Sequence, residues 1–216
     1  MTITKGVIMA AFVVIEGIDG AGTTTQAQRL ARKLQELGRE SLLTCEPTDG
    51  PIGNMIRQVL RRRLVAPVGS DRFEPLDPAT MTLLFTADRM DHLYTVVEPA
   101  LARGIDVVCD RYYHSTIAYQ GVGGDKDWVH EVNRRARRAD LVFYLHLPVE
   151  TALSRLGNRP VTEIYEKKEF LSQVAANYEA LFAMEPNAVV LDGTQPIETV
   201  FEQILSHTLK FIGFSS

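Results

Sequence analysis

Cysteine is scarce in this chain. Only Cys45 and Cys109 occur among 216 residues, which excludes a disulfide scaffold and leaves two free thiols in a reducing compartment as the expectation. No cysteine–histidine group has metal-ligand spacing, so no structural zinc site is expected. No apolar run approaches the roughly 18 residues that a membrane span needs. The opening MTITKGVIMA lacks the apolar core and cleavage site of a signal peptide and reads as a short tail over residues 1–10. There is no excess of positive charge either. Lysine and arginine total 23 against 27 acidic residues, a net charge of −4, which argues against nucleic-acid binding by bulk charge. The basic runs at 61–63 and 134–138 read as solvated helix faces. A cytoplasmic protein with no nucleic-acid or membrane partner is expected.

What is present is a sizeable apolar fraction, 45%, enough for one α/β domain over residues 11–216. Short apolar runs alternate with helical periodicity. Strands are expected at Phe12–Ile15, Ser41–Cys45, Ile105–Cys109, Leu141–Leu147 and Ala188–Leu191. Helices are expected around Ala27–Leu37, Ile52–Leu60, from Asp77-Pro78 through Phe85, on to Ala102, and over Ile197–Phe211. Alternating β and α segments with near-continuous apolar strands predict a parallel sheet covered on both faces. Ligands then sit beyond the carboxyl ends of the strands. The segments that follow strands should therefore converge on one edge: the glycine-rich loop, Glu46-Pro47, Asp110-Arg111 and Asp192-Gly193.

The loop GIDGAGTTT, residues 17–25, sits between the first strand and a helix. Gly17, Gly20 and Gly22 allow a tight turn whose N–H groups approach an anion, and the helix dipole adds positive potential there. The pattern matches G-x-x-x-x-G-K-[ST] except that the lysine position holds Thr23; Thr24 fits the Mg²⁺-linked hydroxyl. Asp110-Arg111 ends the third strand, an acid able to hold Mg²⁺ directly or through water beside an arginine able to clamp phosphate. Phe85 and Arg89 lie four apart on one helix face, suited to stacking a flat base and bonding its edge, although Phe85 taken alone also reads as core. Arg155 and Arg159 flank Leu-Gly-Asn, a candidate lid over about 154–166, with an ordinary exposed loop as the alternative.

At these residues the chain resembles the thymidylate kinases of the P-loop nucleoside-monophosphate kinase group. The segments VIEGIDGAGTTTQAQRL, EPTDGPIGNMIRQVL, LLFTADRMDHL, VVCDRYYHSTIAYQGVGG and VVLDGTQPIETVFEQI occur in family order from about Val13 to Ile204. The resemblance implies a three-layer sandwich with a five-stranded parallel sheet, and transfer of the γ-phosphate of ATP to dTMP with Mg²⁺. It implies ATP phosphates on Gly17, Gly20, Ala21, Gly22, Thr23, Thr24 and Thr25, and adenine against Gly193, Thr194 and Gln195. Asp19 would contact the 3′-hydroxyl and help order the metal. Phe85 would stack on thymine, Arg89 would donate to its carbonyl, and Arg111 would hold the monophosphate. Thr116 and Tyr119 would line base and sugar, with Tyr119 against the 2′ position; Gln120 completes AYQG without an assigned contact. Thr24 and Asp110 would attend the metal. Gly20 in the loop with Arg155 and Arg159 in the lid follows the bacterial branch. A homodimer through residues 52–100 is also implied.

Three positions depart from the family pattern: Thr23 for lysine, Cys45 for the arginine of T-R-E-P, and His114 where the DRY segment often has an acid. Phosphoryl transfer spreads charge stabilisation over metal, backbone and several cations, so turnover is expected but slow, with Arg57, Arg155 and Arg159 as compensating cations. A weakly active or non-catalytic nucleotide-binding protein, and a kinase for another deoxynucleotide, are the alternatives.

Overall fold

The computed structural model describes residues 10–69, 71–157 and 161–213, and the side chains of 161–167 lie outside that description. The expected tail is therefore undescribed up to residue 9.

β1 (Phe12–Glu16), β2 (Ser41–Cys45), β5 (Asp106–Asp110), β6 (Leu141–His146) and β7 (Ala188–Asp192) form a five-stranded parallel sheet in the order β2-β5-β1-β6-β7. β1 and β5 are buried along their whole length, as their unbroken apolar runs require. β1 and β5 each run one residue beyond the apolar stretch and end on an acid, Glu16 and Asp110. Register fixes the site's edge: Asp110 lies beside Ile15 on one side and Cys45 on the other, and His146 lies beside Asp192.

α1 (Thr23–Glu36) buries Ala27, Leu30, Ala31 and Leu34 and packs across β1, β2 and β5 and against α9 (Ile197–Phe211). Each buried leucine contributes about 1.5–3 kcal/mol. α2 (Pro51–Leu60) buries Ile56 and Val59, whereas Met55 and Leu60, expected on its apolar face, are exposed. α3 (Pro78–His92) starts as the sequence predicts: Pro78 takes the first turn and Asp77 accepts from Ala79 N and Thr80 N at 2.9 and 3.1 Å. It runs through a π-helical turn, Leu93–Val97, into α4 (Glu98–Ala102), and Gly104 follows at φ 81°.

Several elements were not expected. A small antiparallel hairpin pairs β3 (Ala66–Val68) with β4 (Arg72–Glu74). α5 (Tyr113–Gln120) buries His114, Thr116, Ile117 and Ala118, a mostly contiguous set with no helical stripe to read. α6 (Lys126–Asn133) is capped by Asp125, which accepts from Trp128 N at 3.1 Å. α7 (Val149–Arg155) and α8 (Val161–Phe182) occupy the region of the candidate lid. Among the described residues of 154–166, 154–155 and 161–166 are helical. Arg159 lies outside the described residues.

Candidate active site

The glycine loop ends at Gly22, which caps α1 with φ 92° and has open space where a Cβ would stand. Glycine is needed there for its backbone angle, not for room. Gly20 needs it for both reasons: φ is 87°, and a Cβ would come within 2.9 Å of the Ala152 carbonyl on α7. No side chain caps α1 and its first turn holds no acid. Its leading N–H groups are therefore orphan donors facing the loop, an arrangement suited to an anion.

Thr23 is buried at the first turn. The next residue, Thr24, is exposed and donates its hydroxyl to Asp110 Oδ2, while Asp110 Oδ1 is buried with no hydrogen-bond partner among the described residues. A carboxylate with one free oxygen beside a threonine hydroxyl is a hard-oxygen pair. That fits Mg²⁺, which keeps several waters and takes one or two protein ligands. Among the described residues no three His, Cys, Asp or Glu side chains group into a metal cage.

Arg111 follows β5 with φ 68°, a left-handed conformation that non-glycine residues adopt at a cost of about 1–3 kcal/mol. Its N–H donates to Ile15 O at 3.0 Å, and its guanidinium donates to Asp19 Oδ1 at 3.0 Å and Ser115 Oγ at 3.2 Å. Tyr119 OH donates to the same Asp19 oxygen at 3.1 Å and accepts from Asp19 N at 3.0 Å. Burial pushes the Tyr119 phenol up to about 12, so it is a neutral donor at physiological pH. The loop acid is thereby tied to the third-strand arginine and the AYQG tyrosine.

A cavity of about 240 Å³ opens beside this trio, lined also by Phe85, Leu60, Arg89, Thr116 and Gln120. Phe85 is half-buried and packs on Ile56, Val59 and Met81, so one ring serves a small core and the cavity wall together. Arg89 is buried: it pairs with Glu46 at 2.8 Å, donates to Thr116 Oγ1 at 2.9 Å and to Asn133 Oδ1, and stacks over Tyr112. Its Nε has no partner. Glu46 was expected at this edge, but its pairing with Arg89 and the part played by Asn133 were not, because their only signal is contact with a residue far away in the chain.

On the donor side, Gly193 donates its N–H to His146 O at 2.7 Å. Thr194 donates through N and Oγ1 to Asp192 Oδ1, and Gln195 N donates to Asp192 O at 3.3 Å. Arg155, at the end of α7, donates to Gly20 O at 3.3 Å and Gly193 O at 3.0 Å, bridging the glycine loop and this loop. Arg57 is engaged elsewhere, donating to Pro47 O and lying 3.7 Å from Cys45 Sγ. Both cysteines are free; burial raises the thiol pKa of each.

The Thymidylate kinase family model matches residues 15–204. The chain belongs to this family. It is an enzyme of the phosphotransferase kind, consistent with the sheet order and the strand-end site just described. It is 39% identical over 209 residues to the "Probable thymidylate kinase" of Thermococcus kodakarensis, covering 94% of this chain and 98% of that one. Its identity to the "Probable thymidylate kinase" of Methanocaldococcus jannaschii is 40% over 198 residues, 91% and 94% of the two chains. The "Probable thymidylate kinase" of Pyrococcus horikoshii is 39% identical over 197 residues, 90% and 94% of the two chains.

Proposed function

We propose that the chain transfers the γ-phosphate of ATP to dTMP, giving dTDP and ADP, by in-line displacement without a covalent intermediate. The observation that carries this reading is the direct contact between Asp19 and Arg111. It joins the rim of an anion-binding helix terminus to the polar end of a base-sized cavity, so donor and acceptor phosphates would meet there. Positioning and charge neutralisation are what such a transfer needs from a protein. Loop N–H groups and the Thr24 hydroxyl hold the donor phosphates, Arg111 holds the acceptor phosphate, and Gly193–Gln195 flank adenine. Phe85 and Arg89 meet thymine, Thr116 and Gln120 line its pocket, and Tyr119 stands against the sugar. Magnesium bound with ATP would sit on Thr24 and Asp110 and supply positive charge to the phosphates.

Arg155 donates to both donor loops, which supports a bacterial-type arrangement with Arg155 and Arg159 as catalytic arginines. Exposed Met55, Leu83, Met90 and Tyr94 on α2, α3 and the π turn support a homodimer through residues 52–100. Two free thiols support a cytoplasmic setting. Coupled ADP release with a panel of nucleoside monophosphates tests the reaction. Turnover favouring dTMP is expected. Preference for another acceptor reassigns the substrate, and dTMP binding without ADP release makes the chain a binding protein.

A further inference from the structure

His114 is fully buried on α5, and its ring stacks between Tyr113, at 4.0 Å, and Phe182, at 5.1 Å. Nδ1 faces Glu16 Oε1 at 3.5 Å, and Nε2 faces Glu185 Oε2 at 3.7 Å. Among the described residues neither nitrogen has a hydrogen-bond partner. A neutral imidazole carries one N–H and one lone pair, so one nitrogen would point its lone pair at a carboxylate oxygen. Only the doubly protonated ring offers hydrogen to both.

Glu16 is equally constrained. Oε1 accepts from Tyr112 N at 2.7 Å and Ser115 N at 3.2 Å, and Oε2 accepts from Ser115 Oγ at 2.6 Å and Tyr178 OH at 3.0 Å. Two N–H groups and two hydroxyls directed at one carboxyl group favour its ionised form, which accepts from all four. It is buried at 0% exposure, where an uncompensated charge is costly. Ser115 gives its proton to Glu16 and accepts from Arg111 Nη1 at 3.2 Å. A line of contacts thus runs from Glu185 through His114, Glu16 and Ser115 to Arg111.

We propose that His114 is a positioning residue for the reaction, a buried imidazolium that keeps Glu16 ionised so that Glu16 and Ser115 hold the Arg111 guanidinium at the acceptor phosphate. This rests on the reading of Arg111 as the acceptor-phosphate ligand. The two carboxylates facing the ring favour its charge, and the nearby cations Arg111 and Arg138 act on those carboxylates. β1 contributes Glu16. The segment after α8 contributes Glu185, whose other oxygen meets the exposed Arg138 at 3.5 Å. α8 contributes the neutral phenol of Tyr178, and the β5–α5 turn contributes Arg111, which also favours the Glu16 anion. Burial works against charge on His114, but the two carboxylates outweigh it and raise its pKa above the ordinary 6.5. Burial likewise opposes charge on Glu16, yet its pKa is lowered by His114, Ser115 and Arg111. The sign follows: charge on the ring persists above the ordinary imidazole value, and the hold on Arg111 weakens as the pH rises through the raised pKa.

The wild-type protein supplies the first test. With ¹⁵N-labelled histidine, the His114 ring is identified by its proximity to Tyr113 and Phe182. Both ring nitrogens should show the protonated shift at pH 7.5. A neutral tautomer there overturns the proposal. The KM for dTMP should rise over the same pH range in which the ring titrates, while the KM for ATP stays flat. A flat dTMP profile through that titration overturns the proposal too. In His114→Gln the dTMP KM should be raised about tenfold at neutral pH, the scale of one misplaced charge-assisted contact, and should lose that pH dependence. Ser115→Ala should raise the dTMP KM while leaving the ring titration in place. If His114→Gln lowers only the thermal midpoint, the residue is structural and the proposal fails. Separately, calorimetry of dTMP on Arg111→Ala checks the underlying reading. Undiminished affinity removes the phosphate role of Arg111 and the positioning role with it, whatever the ring's charge.

Discussion

The donor and acceptor halves of this site are built from different materials. The donor half is backbone: glycines at positive φ, an uncapped helix terminus and carbonyls bridged by Arg155. The acceptor half is side chain: Arg89, Glu46, Thr116, Asn133, Arg111, Asp19 and Tyr119 in one partly buried network. Backbone donors do not depend on the residue at a given position, which is how a loop can carry Thr23 in place of lysine and keep its geometry. A side-chain network has no such tolerance, because removing one partner leaves another buried and unpaired. Loss of the charged anchor of that network, Arg111, should therefore cost more than a substitution on the donor side.

The largest effect is expected at Arg111. Arg111→Ala should lower kcat/KM for dTMP by about 10²–10³, the scale for a lost preorganised contact to developing charge, and calorimetry should show dTMP binding weakened with ATP binding intact. Loss on both substrates together would remove the division between the halves. Next, Arg155→Met should lower kcat by roughly tenfold or more with little change in dTMP affinity, since its contacts are to the two donor loops. A parallel fall in dTMP affinity would move Arg155 to the acceptor half. Thr23→Lys should raise kcat/KM for ATP about tenfold, given the ~1.5–3 kcal/mol of a charge-assisted bond. A lower rate would mean that the loop is adapted to the buried threonine. Phe85→Ala should raise the KM for dTMP well above any change in that for ATP; equal changes would leave the ring as core packing against Ile56, Val59 and Met81 alone. The smallest effect is expected from Tyr119→Ala, which should narrow the preference for dTMP over its ribose counterpart. An unchanged ratio of kcat/KM values would place the ring away from the sugar.

The same division explains what could be read from the chain alone. α9 runs from Ile197 to Phe211 as its apolar periodicity predicts, and the Asp77-Pro78 cap stands where the pair suggested. The sheet edge that gathers the glycine loop, Asp110-Arg111 and Asp192-Gly193 follows from strand ends, which are local signals. α5 escaped because it is buried on several sides and has no polar face to set a period. The β3–β4 hairpin escaped because three-residue strands carry too short a pattern. In the site, Thr24, Asp110 and Arg111 were legible at fixed offsets from strands, and Asp19 through the family resemblance. Glu46 against Arg89, Asn133 beneath it, and Glu16 against Ser115 were not, since each is a partnership across 40 or more residues. His114 registered only as a departure from a pattern; its two carboxylate neighbours give that departure a physical content.

The left-handed backbone at Arg111 sets stability against activity at a single position. Glycine would relax that angle, offsetting part of what is lost with the side chain, whereas alanine would keep the strain and lose the guanidinium as well. Selection for heat resistance alone would thus tolerate glycine at 111 better than alanine, and would drift toward a sturdy protein with no grip on its acceptor. Thermostabilising this enzyme requires that the residue be held fixed while the rest of the chain is varied.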